Sequence, residues 1–564
     1  MMSRQEPAVN LWVKAEPFSY GAFPIAPHPR LNINNIKKIV IYAKNKGEAG
    51  FPKISYSVWR HIACNKLHLS ESLAWMYFSR CHFLSENTSA VERLEWDHHF
   101  AGSSKDEKEN MKNQVSVVTF KFVLYLYIQQ IHKVSLKASL VAGDEWPTRS
   151  SSPDLDGRST PRNSNKSLDD HSHMVFVQNN LHEILDLLVE PDNDSGYPGD
   201  VSLSQLAVEA LSFLLAGSMD RCKTLMPLQD IATLQTLQHR SGYSKMKKTF
   251  SLRLFQTWIK DCLVQNPFGI SACIASGRRL SWPMAGEEKD NLSETKRGRI
   301  ATNAHAVPKE HMKGNKIIIM SQVGKQTVAR SSSTLENSCV KIHRCHSAYI
   351  YLLSPLRSVT VEKCRNSTII LGPVECAVFL SHCESVILIA CARTVLISSS
   401  TLCTLHLLTP NPPAILSGND SLTLAPYHTY YPKLEEHMAE VGIGAERNLW
   451  DEPLCVGPDH KEDSPVWEIM PVQNFFTFNI PLEMEGTTKS IPGGLPGKYQ
   501  RAVNQRYKQI DNWQKTVKES GLTRDQRKEF QSLVESRFHV WLSESGHKRE
   551  LDSLVLPQPG KKSQ

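Results

Sequence analysis

Four neighbouring segments of the chain align with one another, and this repeat determines the expected fold. The segments are VKIHRCHSAYIYL (340–352), VTVEKCRNSTIIL (359–371), VFLSHCESVILIA (378–390) and VLISSSTLCTLHL (395–407). Their first valines follow one another at intervals of 19, 19 and 17 residues. A small residue stands five positions after each valine, namely Cys345, Cys364, Cys383 and Ser400.

Each unit of the repeat has alternating apolar residues on either side of a small residue. This pattern predicts a short strand, a tight bend and a second short strand. A period near 19 residues is too short for a helix pair or a propeller blade, but it suits one coil of a parallel β-helix. We therefore predict a right-handed parallel β-helix over about 315–425, with Cys345, Cys364 and Cys383 stacked in one interior row.

A metal or redox role for these cysteines is the alternative interpretation. The chain has 13 cysteines, and seven of them lie between Cys339 and Cys403. It contains no C-x-x-C pair, and consecutive row cysteines belong to different coils, so their spacing does not match that of metal ligands. We expect structural thiols, with no metal site and no cofactor. Two other polar clusters, His98-His99 after Asp97 and Asp169-Asp170 with His173, are interpreted as solvent-exposed.

Several motifs in and after the repeat resemble the tubulin-binding cofactor C domain. They are Gly372-Pro373-Val374, Ala377-Val378-Phe379-Leu380, Cys383, Ala390-Cys391, Leu424-Ala425-Pro426-Tyr427 and Tyr431-Pro432. The resemblance covers about 305–435, and it implies the β-helix fold of that family. Active members are GTPase-activating proteins for tubulin or Arf-like GTPases, and they insert an arginine finger.

The finger segment of this chain departs from the family pattern. Where active members have Ala-Cys-Gln-Gln-apolar-Arg, this chain reads Ala390-Cys391-Ala392-Arg393-Thr394-Val395. The finger position holds Val395, or Leu396 if one residue is inserted, and an aliphatic side chain cannot neutralise phosphate charge. Arg393 is the alternative finger, but it lies two positions early, at the expected bend before the strand. We therefore expect no catalytic residue and no enzyme activity.

The flanking segments are unlike those of cofactor C itself, and the whole chain resembles a centrosomal and basal-body branch of the family. That resemblance implies a cytoplasmic, cytoskeletal protein of the centrosome and spindle pole that acts in centrosome and Golgi positioning, cell shape and cell migration. It also implies centrosomal or tubulin-related partners and a possible small GTPase partner. Three alternatives stay open: a non-catalytic interaction protein, an active GTPase-activating protein, and a scaffold that binds GTPases without turning them over.

Composition and charge limit which classes of function remain open. The chain has 564 residues, a net charge of +8, 40% hydrophobic and 22% charged residues, which fits about three or four globular domains. This mild basic excess does not indicate nucleic-acid binding. Because Val115–Ile131 is short and interrupted by polar residues, and the N-terminus lacks a signal-peptide core, we expect a soluble intracellular chain without membrane insertion. Phosphate-loop, nucleophile-elbow and zinc-protease motifs are missing from the sequence.

The sequence predicts a multidomain chain: a mainly helical N-terminal region, the central right-handed parallel β-helix and a helical C-terminal tail. Its segments are an N-terminal arm (1–29), a mixed and helical part (30–143), a disordered Ser- and Pro-rich insertion (144–174), a helical part (175–282), a polar linker (283–314), the cofactor C-like β-helix domain (315–435), a loop-rich segment (436–495), a basic helical pair (496–550) and a disordered tail (551–564). The insertion has too few large apolar residues to offset the entropy of ordering. Ser152 and Thr160 precede prolines in it, which fits phosphorylation or an inert linker equally.

Two apolar stripes run along the predicted helical pair, which holds 12 Lys and Arg against seven Asp and Glu. The first stripe is Val503, Tyr507, Ile510, Trp513 and Val517, and the second is Phe530, Leu533, Val534, Phe538 and Trp541. These residues either pack on the protein's own core or anchor a partner. The basic outer face is predicted to suit an acidic partner such as a tubulin surface.

Overall fold

The structure is a computed structural model that describes residues 9–86, 88–131, 170–190, 201–219, 224–280, 299–331, 333–457, 460 and 464–545. It divides into two compact units. The helical unit comprises 1–89, 102–278 and 303–317, and the solenoid unit comprises 90–101, 279–302 and 318–564, in each case as far as the chain is described. Ser152 and Thr160, and the predicted disordered tail, lie outside the described residues.

The helical unit confirms the prediction of a mainly helical N-terminal region. Its α-helices span Ile33–Lys44, Tyr56–His61, Glu71–Ser85, Lys105–Gln114, Thr119–Ile128, Asp170–Asp186, Gln205–Leu211, Leu228–Thr233, Gln238–Ser241, Leu252–Cys262 and Ile270–Ser276. Three small antiparallel sheets accompany them, built from Val9–Val13 with Leu215–Met219 and Thr224–Met226, from Lys53–Ser55 with Ser116–Val118, and from Ser202–Ser204 with Thr249–Ser251 and Tyr243–Ser244. Single helical turns span Pro17–Gly21, Gly47–Ala49, Ile62–Lys66 and Lys309–His311.

The predicted boundary of the insertion at residue 174 is wrong, because a helix already begins at Asp170. Asp170 and His173 are both buried, whereas the sequence suggested an exposed polar cluster. The Asp170 carboxylate accepts a hydrogen bond from the backbone N–H of Ser271 at 3.2 Å. The His173 ring stacks on Phe18 with 4.8 Å between ring centroids. Contacts to distant residues therefore stabilise a helical turn whose own composition indicates disorder.

The solenoid unit is built around a parallel β-solenoid of about six coils over residues 317–426. One sheet holds Ile317–Ser321, Cys339–His343, Leu356–Glu362, Val374–Ser381, Val395–Ser398, Ala414–Ile415 and Leu454–Cys455. The other holds Thr327–Arg330, Tyr349–Leu352, Thr368–Leu371, Ile387–Cys391, Thr404–Leu408, Leu422–Pro426 and Trp467–Ile469. Short strands also lie at Arg278–Arg279 and Arg299–Thr302, and a helix spans Leu434–Glu440.

The strand register confirms the alignment of the four repeats. Val340 pairs with Val359, Val359 with Val378, and Val378 with Val395 in neighbouring parallel strands. In the second sheet Ile350 pairs with Ile369, Ile369 with Leu388, and Leu388 with Leu405. Equivalent residues of successive coils therefore lie directly above one another, as the period predicts.

The predicted cysteine row is also present, and its chemistry explains the preference for a small residue. Cys345, Cys364 and Cys383 are buried in one core cluster. Each thiol lies within hydrogen-bonding distance of the carbonyl oxygen two residues before it, and the Ser400 hydroxyl donates in the same way at 2.9 Å. Asn419 continues the row, because its side-chain oxygen accepts the Ser400 backbone N–H at 3.0 Å. The row therefore selects small side chains that can satisfy a buried carbonyl.

Three further short strands pair with the solenoid outside residues 317–426. On the N-terminal side, Arg299–Thr302 pairs antiparallel with the first solenoid strand, so ordered structure begins inside the predicted polar linker 283–314. On the C-terminal side, Leu454–Cys455 and Trp467–Ile469 extend the two sheets in parallel beyond residue 435. Pairing the outer strands satisfies backbone groups that the solenoid would otherwise expose at its edges. These short strands lie in segments whose turn-rich composition led us to predict a polar linker and a loop-rich segment.

The predicted helical pair is present, and we call its members the first tail helix (Gly497–Glu519) and the second tail helix (Arg524–Glu544). The expected cap at Thr523 and Gln526 forms a reciprocal capping box. The start of the first tail helix closes the end of the solenoid core with Tyr499 and Val503. The Tyr499 ring lies 4.7 Å from that of Phe475, and its hydroxyl donates to the Met470 carbonyl oxygen at 2.7 Å.

The glycine of the Gly372-Pro373-Val374 motif is required by a close approach between coils. A Cβ atom at Gly372 would lie 2.3 Å from the backbone oxygen of Ser354 in the preceding coil. The Gly372 N–H donates to the Leu352 oxygen at 2.7 Å, so the two coils cannot separate without losing that hydrogen bond.

We expect Gly372→Ala to lower the free energy of unfolding by about 1–3 kcal/mol, because overpacking against backbone forces the coils apart. Gly444→Ala is the matched control, since a Cβ there meets only Leu94 at an ordinary 3.7 Å. Urea unfolding of both variants measures the difference. Equal stabilities would show that the contact between coils does not constrain residue 372.

Candidate functional site

Both finger positions of the family pattern are aliphatic and lie inside the protein. Val395 begins the strand Val395–Ser398, and it is fully buried in the solenoid core. Leu396, the alternative position, is also buried. A buried aliphatic side chain can neither reach nor neutralise a phosphoryl group on another protein. The segment therefore lacks a usable cation at the position where active relatives carry one.

Arg393 lies at the bend before this strand, as predicted, but its guanidinium group faces the protein interior. The residue is only 9% exposed. Its Nη1 atom lies 3.6 Å from the Asp97 carboxylate, and its Nη2 atom donates to the carbonyl oxygen of Gly442. Burial lowers the pKa of Arg393 to about 10, an effect that the charge of Asp97 opposes. The side chain is therefore still protonated at neutral pH, and internal partners already bind it.

Arg393 belongs to a buried charge cluster of four arginines and two carboxylates in the solenoid unit. Its members are Arg93, Asp97, Arg357, Glu375, Arg393 and Arg447.

Each carboxylate of this buried charge cluster bridges two arginines. Asp97 lies 3.0 Å from the Arg447 guanidinium and 3.6 Å from that of Arg393. Glu375 lies 2.8 Å from Arg93 and 2.9 Å from Arg357. Removal of one member of a buried ion pair leaves the charge of the other without compensation, which is strongly destabilising. The ion pairs therefore hold their members in place.

Helix Ala90–Gly102 supplies two members of the buried charge cluster, one turn apart. Arg93 and Asp97 are four positions apart, so they lie on the same side of the helix. Arg93 also donates to the Val441 carbonyl oxygen at 3.2 Å. The Arg447 guanidinium lies 4.1 Å from the centre of the Phe100 ring, a further contact of the same helix. The helix thus covers the guanidinium of Arg393 on the solenoid.

Two sequence-based assignments are corrected by this arrangement. Residues 90–101 group with the solenoid unit, whereas the sequence placed them in the N-terminal part 30–143. His98 and His99 are exposed as expected, but Asp97 beside them is buried. Arg93 and Asp97 are the buried residues of this helix, and their partners Glu375, Arg393 and Arg447 lie far along the chain.

The sequence analysis missed the other members of the buried charge cluster, although one signal was visible. Glu375 is the single charge of the strand Val374–Ser381, and Arg357 is one of two charges, with Glu362 at the other end, in the strand Leu356–Glu362. A lone charge in such a strand must find a counter-charge when it is buried. That pattern could have identified both residues as members of an internal ion pair.

The thiols of the cysteine row are buried in the solenoid core. A hydrogen bond with Cys364 and burial raise the pKa of the Cys345 thiol, so this member of the row stays protonated and unreactive. Within the described residues, no group of three His, Cys, Asp or Glu side chains could hold a metal ion. In the same part of the chain, no helix combines the length and apolar character needed to cross a bilayer.

The family comparison agrees with the geometry of the solenoid. The model of the family "Tubulin binding cofactor C" matches residues 337–454, which include the four repeats and the finger segment. The solenoid is thus a cofactor C domain in which the finger position is aliphatic and the neighbouring arginine is buried.

Relatives similar to nearly the whole chain identify the family more closely. The TBCC domain-containing protein 1 of Bos taurus is 48% identical, over 98% of this chain and 98% of its own length. The proteins of the same name from Homo sapiens and Danio rerio are 47% and 42% identical, over 98% and 97% of this chain and 98% and 94% of their own lengths. The chain therefore belongs to the TBCC domain-containing protein 1 family.

Proposed function

We propose that this chain is a non-catalytic binding protein related to the tubulin cofactors. The burial of Arg393 beneath helix Ala90–Gly102, in an ion pair with Asp97, is the observation that supports the proposal most strongly. A second support is the aliphatic character of Val395 and Leu396 at the finger position. The name of the matched family makes tubulin, or a protein that resembles it, the first partner to test.

The proposal extends to the place where the chain acts. Its sequence resembles a centrosomal branch of the family over its whole length, so we place its action in the cytoplasm, at the centrosome and spindle pole. There it would act in centrosome and Golgi positioning, with effects on cell shape and migration. Microscopy of the tagged full-length chain beside a centrosome marker tests this location, and a diffuse signal would contradict it.

An active GTPase-activating protein is the second candidate, and Arg393 is the residue that favours it. The arginine lies only two positions before Val395 and belongs to the matched segment. To act as a finger, however, its side chain would have to leave Asp97 and the Gly442 carbonyl oxygen and extend into a partner. The rate of a reaction depends steeply on where a catalytic group is placed. Because the Arg393 side chain faces the protein interior, it could reach a catalytic position only after a large rearrangement.

The full-length chain is expected to leave the rate of GTP hydrolysis by tubulin and by Arf-like GTPases unchanged. An inserted arginine contributes roughly 10³–10⁵ in rate, so its presence or absence is easily measured. Single-turnover hydrolysis with an active cofactor C as positive control makes the comparison. Acceleration that disappears in Arg393→Ala, but survives in the control Arg344→Ala at an exposed solenoid arginine, would establish the second candidate instead.

A further inference from the structure

A β-hairpin of the helical unit carries Met246, which is the most exposed large apolar side chain among the described residues. The strands Tyr243–Ser244 and Thr249–Ser251 pair antiparallel, and the four residues 245–248 join them. Met246 lies in this loop and is 98% exposed, so its side chain has almost no contact with the rest of the protein. The other loop residues are exposed lysines, namely Lys245, Lys247 and Lys248. Because three of the four loop residues are cations, we call residues 243–251 the basic hairpin.

The base of the basic hairpin is packed against the helical unit. Phe250 is buried, and its ring lies 4.8 Å from that of Tyr243 and 5.1 Å from that of Phe255. The side-chain amide of Gln205 donates to the Tyr243 hydroxyl at 2.9 Å. The second strand of the hairpin also pairs with Ser202–Ser204. The fold therefore holds the loop at a fixed place on the helical unit, with its methionine and its lysines in solvent.

The segment around the basic hairpin has positive charges only. Residues 231–260 hold six Lys and Arg and no Asp or Glu, whereas the net charge of the whole chain is +8. Arg240 lies in the helix before the hairpin and Arg253 in the helix after it, and both are exposed. A concentration of charge of one sign on a surface attracts partners of the opposite sign. The charges of the hairpin therefore predict an anionic partner.

The residue types in the loop favour a membrane over a protein or a nucleic acid as this anionic partner. Lysine is depleted at protein–protein interfaces, whereas each lysine beside an anionic lipid surface strengthens binding about fivefold. A bilayer also offers an apolar layer directly beneath its charged headgroups, which a single protruding side chain such as Met246 can enter. The phosphate backbone of a nucleic acid offers no such layer. The combination of cations with one almost fully exposed apolar side chain therefore fits an anionic membrane surface.

We propose that the basic hairpin binds the surface of membranes that contain anionic lipids. Met246 enters the boundary between headgroups and acyl chains, while the lysines place their aliphatic stems along this boundary and keep their ammonium groups at the headgroups. One apolar side chain buries little area, so the attachment is peripheral and requires the cations as well. The hairpin lies in the helical unit, and the proposal does not depend on Arg393 or on whether the solenoid binds tubulin.

Flotation of the full-length chain with lipid vesicles tests the proposal. One set of vesicles contains phosphatidylcholine alone, and the other contains about 30% phosphatidylserine, which gives the surface a negative potential. The chain is expected to bind the anionic vesicles at least about tenfold more strongly, and added salt should weaken this binding by screening the charges. Absence of binding to the anionic vesicles, or equal binding to both sets, would overturn the proposal.

Charge variants locate the contact on the basic hairpin. The first variant replaces the three loop lysines: Lys245→Ala, Lys247→Ala and Lys248→Ala. The matched control replaces three exposed lysines of the first tail helix: Lys508→Ala, Lys515→Ala and Lys518→Ala. The first variant should bind the anionic vesicles at least about twentyfold more weakly than the parent chain, and the control less than about threefold. Equal losses in both variants would show that net charge alone drives binding and would refute the proposal.

Substitutions of Met246 test the apolar part of the contact. Met246→Ser should weaken binding at least about fivefold because it removes the side chain that enters the bilayer, whereas Met246→Leu should bind like the parent chain. Leu402→Ser, at a 58% exposed residue of a solenoid bend, is the matched control and should not change binding. Both positions are exposed, so thermal midpoints should stay close to that of the parent chain. Unchanged binding by Met246→Ser would contradict the proposal.

A glutamate-rich peptide tests the alternative anionic partner, an acidic protein. Fluorescence anisotropy should show that the full-length chain does not bind this peptide at concentrations where it binds the anionic vesicles. Binding of the peptide that is lost in the variant without the three loop lysines, together with absence of binding to the vesicles, would assign the basic hairpin to an acidic protein and refute the proposal.

Discussion

Replacing Asp97 by alanine is expected to lower the free energy of unfolding by about 3–5 kcal/mol, because it removes one member of a buried ion pair. The Asp97 carboxylate lies 3.0 Å from the Arg447 guanidinium and 3.6 Å from that of Arg393. Without it, the buried guanidinium groups of Arg393 and Arg447 both lose a carboxylate partner, at 3.6 and 3.0 Å. Urea unfolding of the full-length chain, followed by far-ultraviolet circular dichroism, measures the loss.

Two further variants separate the charge of Asp97 from its shape and position. Glu95→Ala changes an exposed carboxylate on the same helix and should alter stability by less than about 0.5 kcal/mol. Asp97→Asn keeps the shape and one hydrogen-bond acceptor, so an intermediate loss is expected. If Asp97→Ala were no more damaging than Glu95→Ala, the buried charge cluster would not stabilise the solenoid unit. The ion pair with Asp97 would then not explain why Arg393 stays buried.

Replacing Tyr499 by alanine should cost about 3–5 kcal/mol, because it leaves a cavity where an aromatic ring closes the solenoid core. Tyr499 is fully buried, and its ring lies 4.7 Å from Phe475 and 6.0 Å from Trp450. The substitution also leaves the Met470 carbonyl oxygen without the hydroxyl that donates to it at 2.7 Å. Denaturant unfolding of the solenoid unit within the full-length chain measures the effect.

The first tail helix offers a matched control at Tyr507, which is 57% exposed. Tyr507→Ala should cost less than about 1 kcal/mol, since little apolar area leaves a buried environment. Tyr499→Phe keeps the ring and should lose only the hydrogen bond, about 1 kcal/mol. Similar losses for Tyr499→Ala and Tyr507→Ala would mean that the first tail helix does not close the solenoid.

The sequence analysis succeeded where one physical constraint repeats along the chain. Coils of a solenoid stack in register, so equivalent positions face equivalent surroundings, and the alignment of Val340, Val359, Val378 and Val395 reports this directly. The small residues of the cysteine row follow from the same stacking, since each must fit a crowded bend and satisfy a carbonyl oxygen. The apolar stripe of the first tail helix was also visible, but its period alone could not show which residues are buried.

By itself, the sequence determined the solenoid, its register, its cysteine row and the absence of an arginine at the finger position. Only the tertiary structure decided that Arg393 is buried, that Asp97 and Glu375 compensate the neighbouring arginines, and that Tyr499 closes the core while Tyr507 stays exposed. The physical reason is sequence distance. Repeats and helical stripes are local patterns, whereas an ion pair between residues 97 and 393 forms only when folding brings remote segments together.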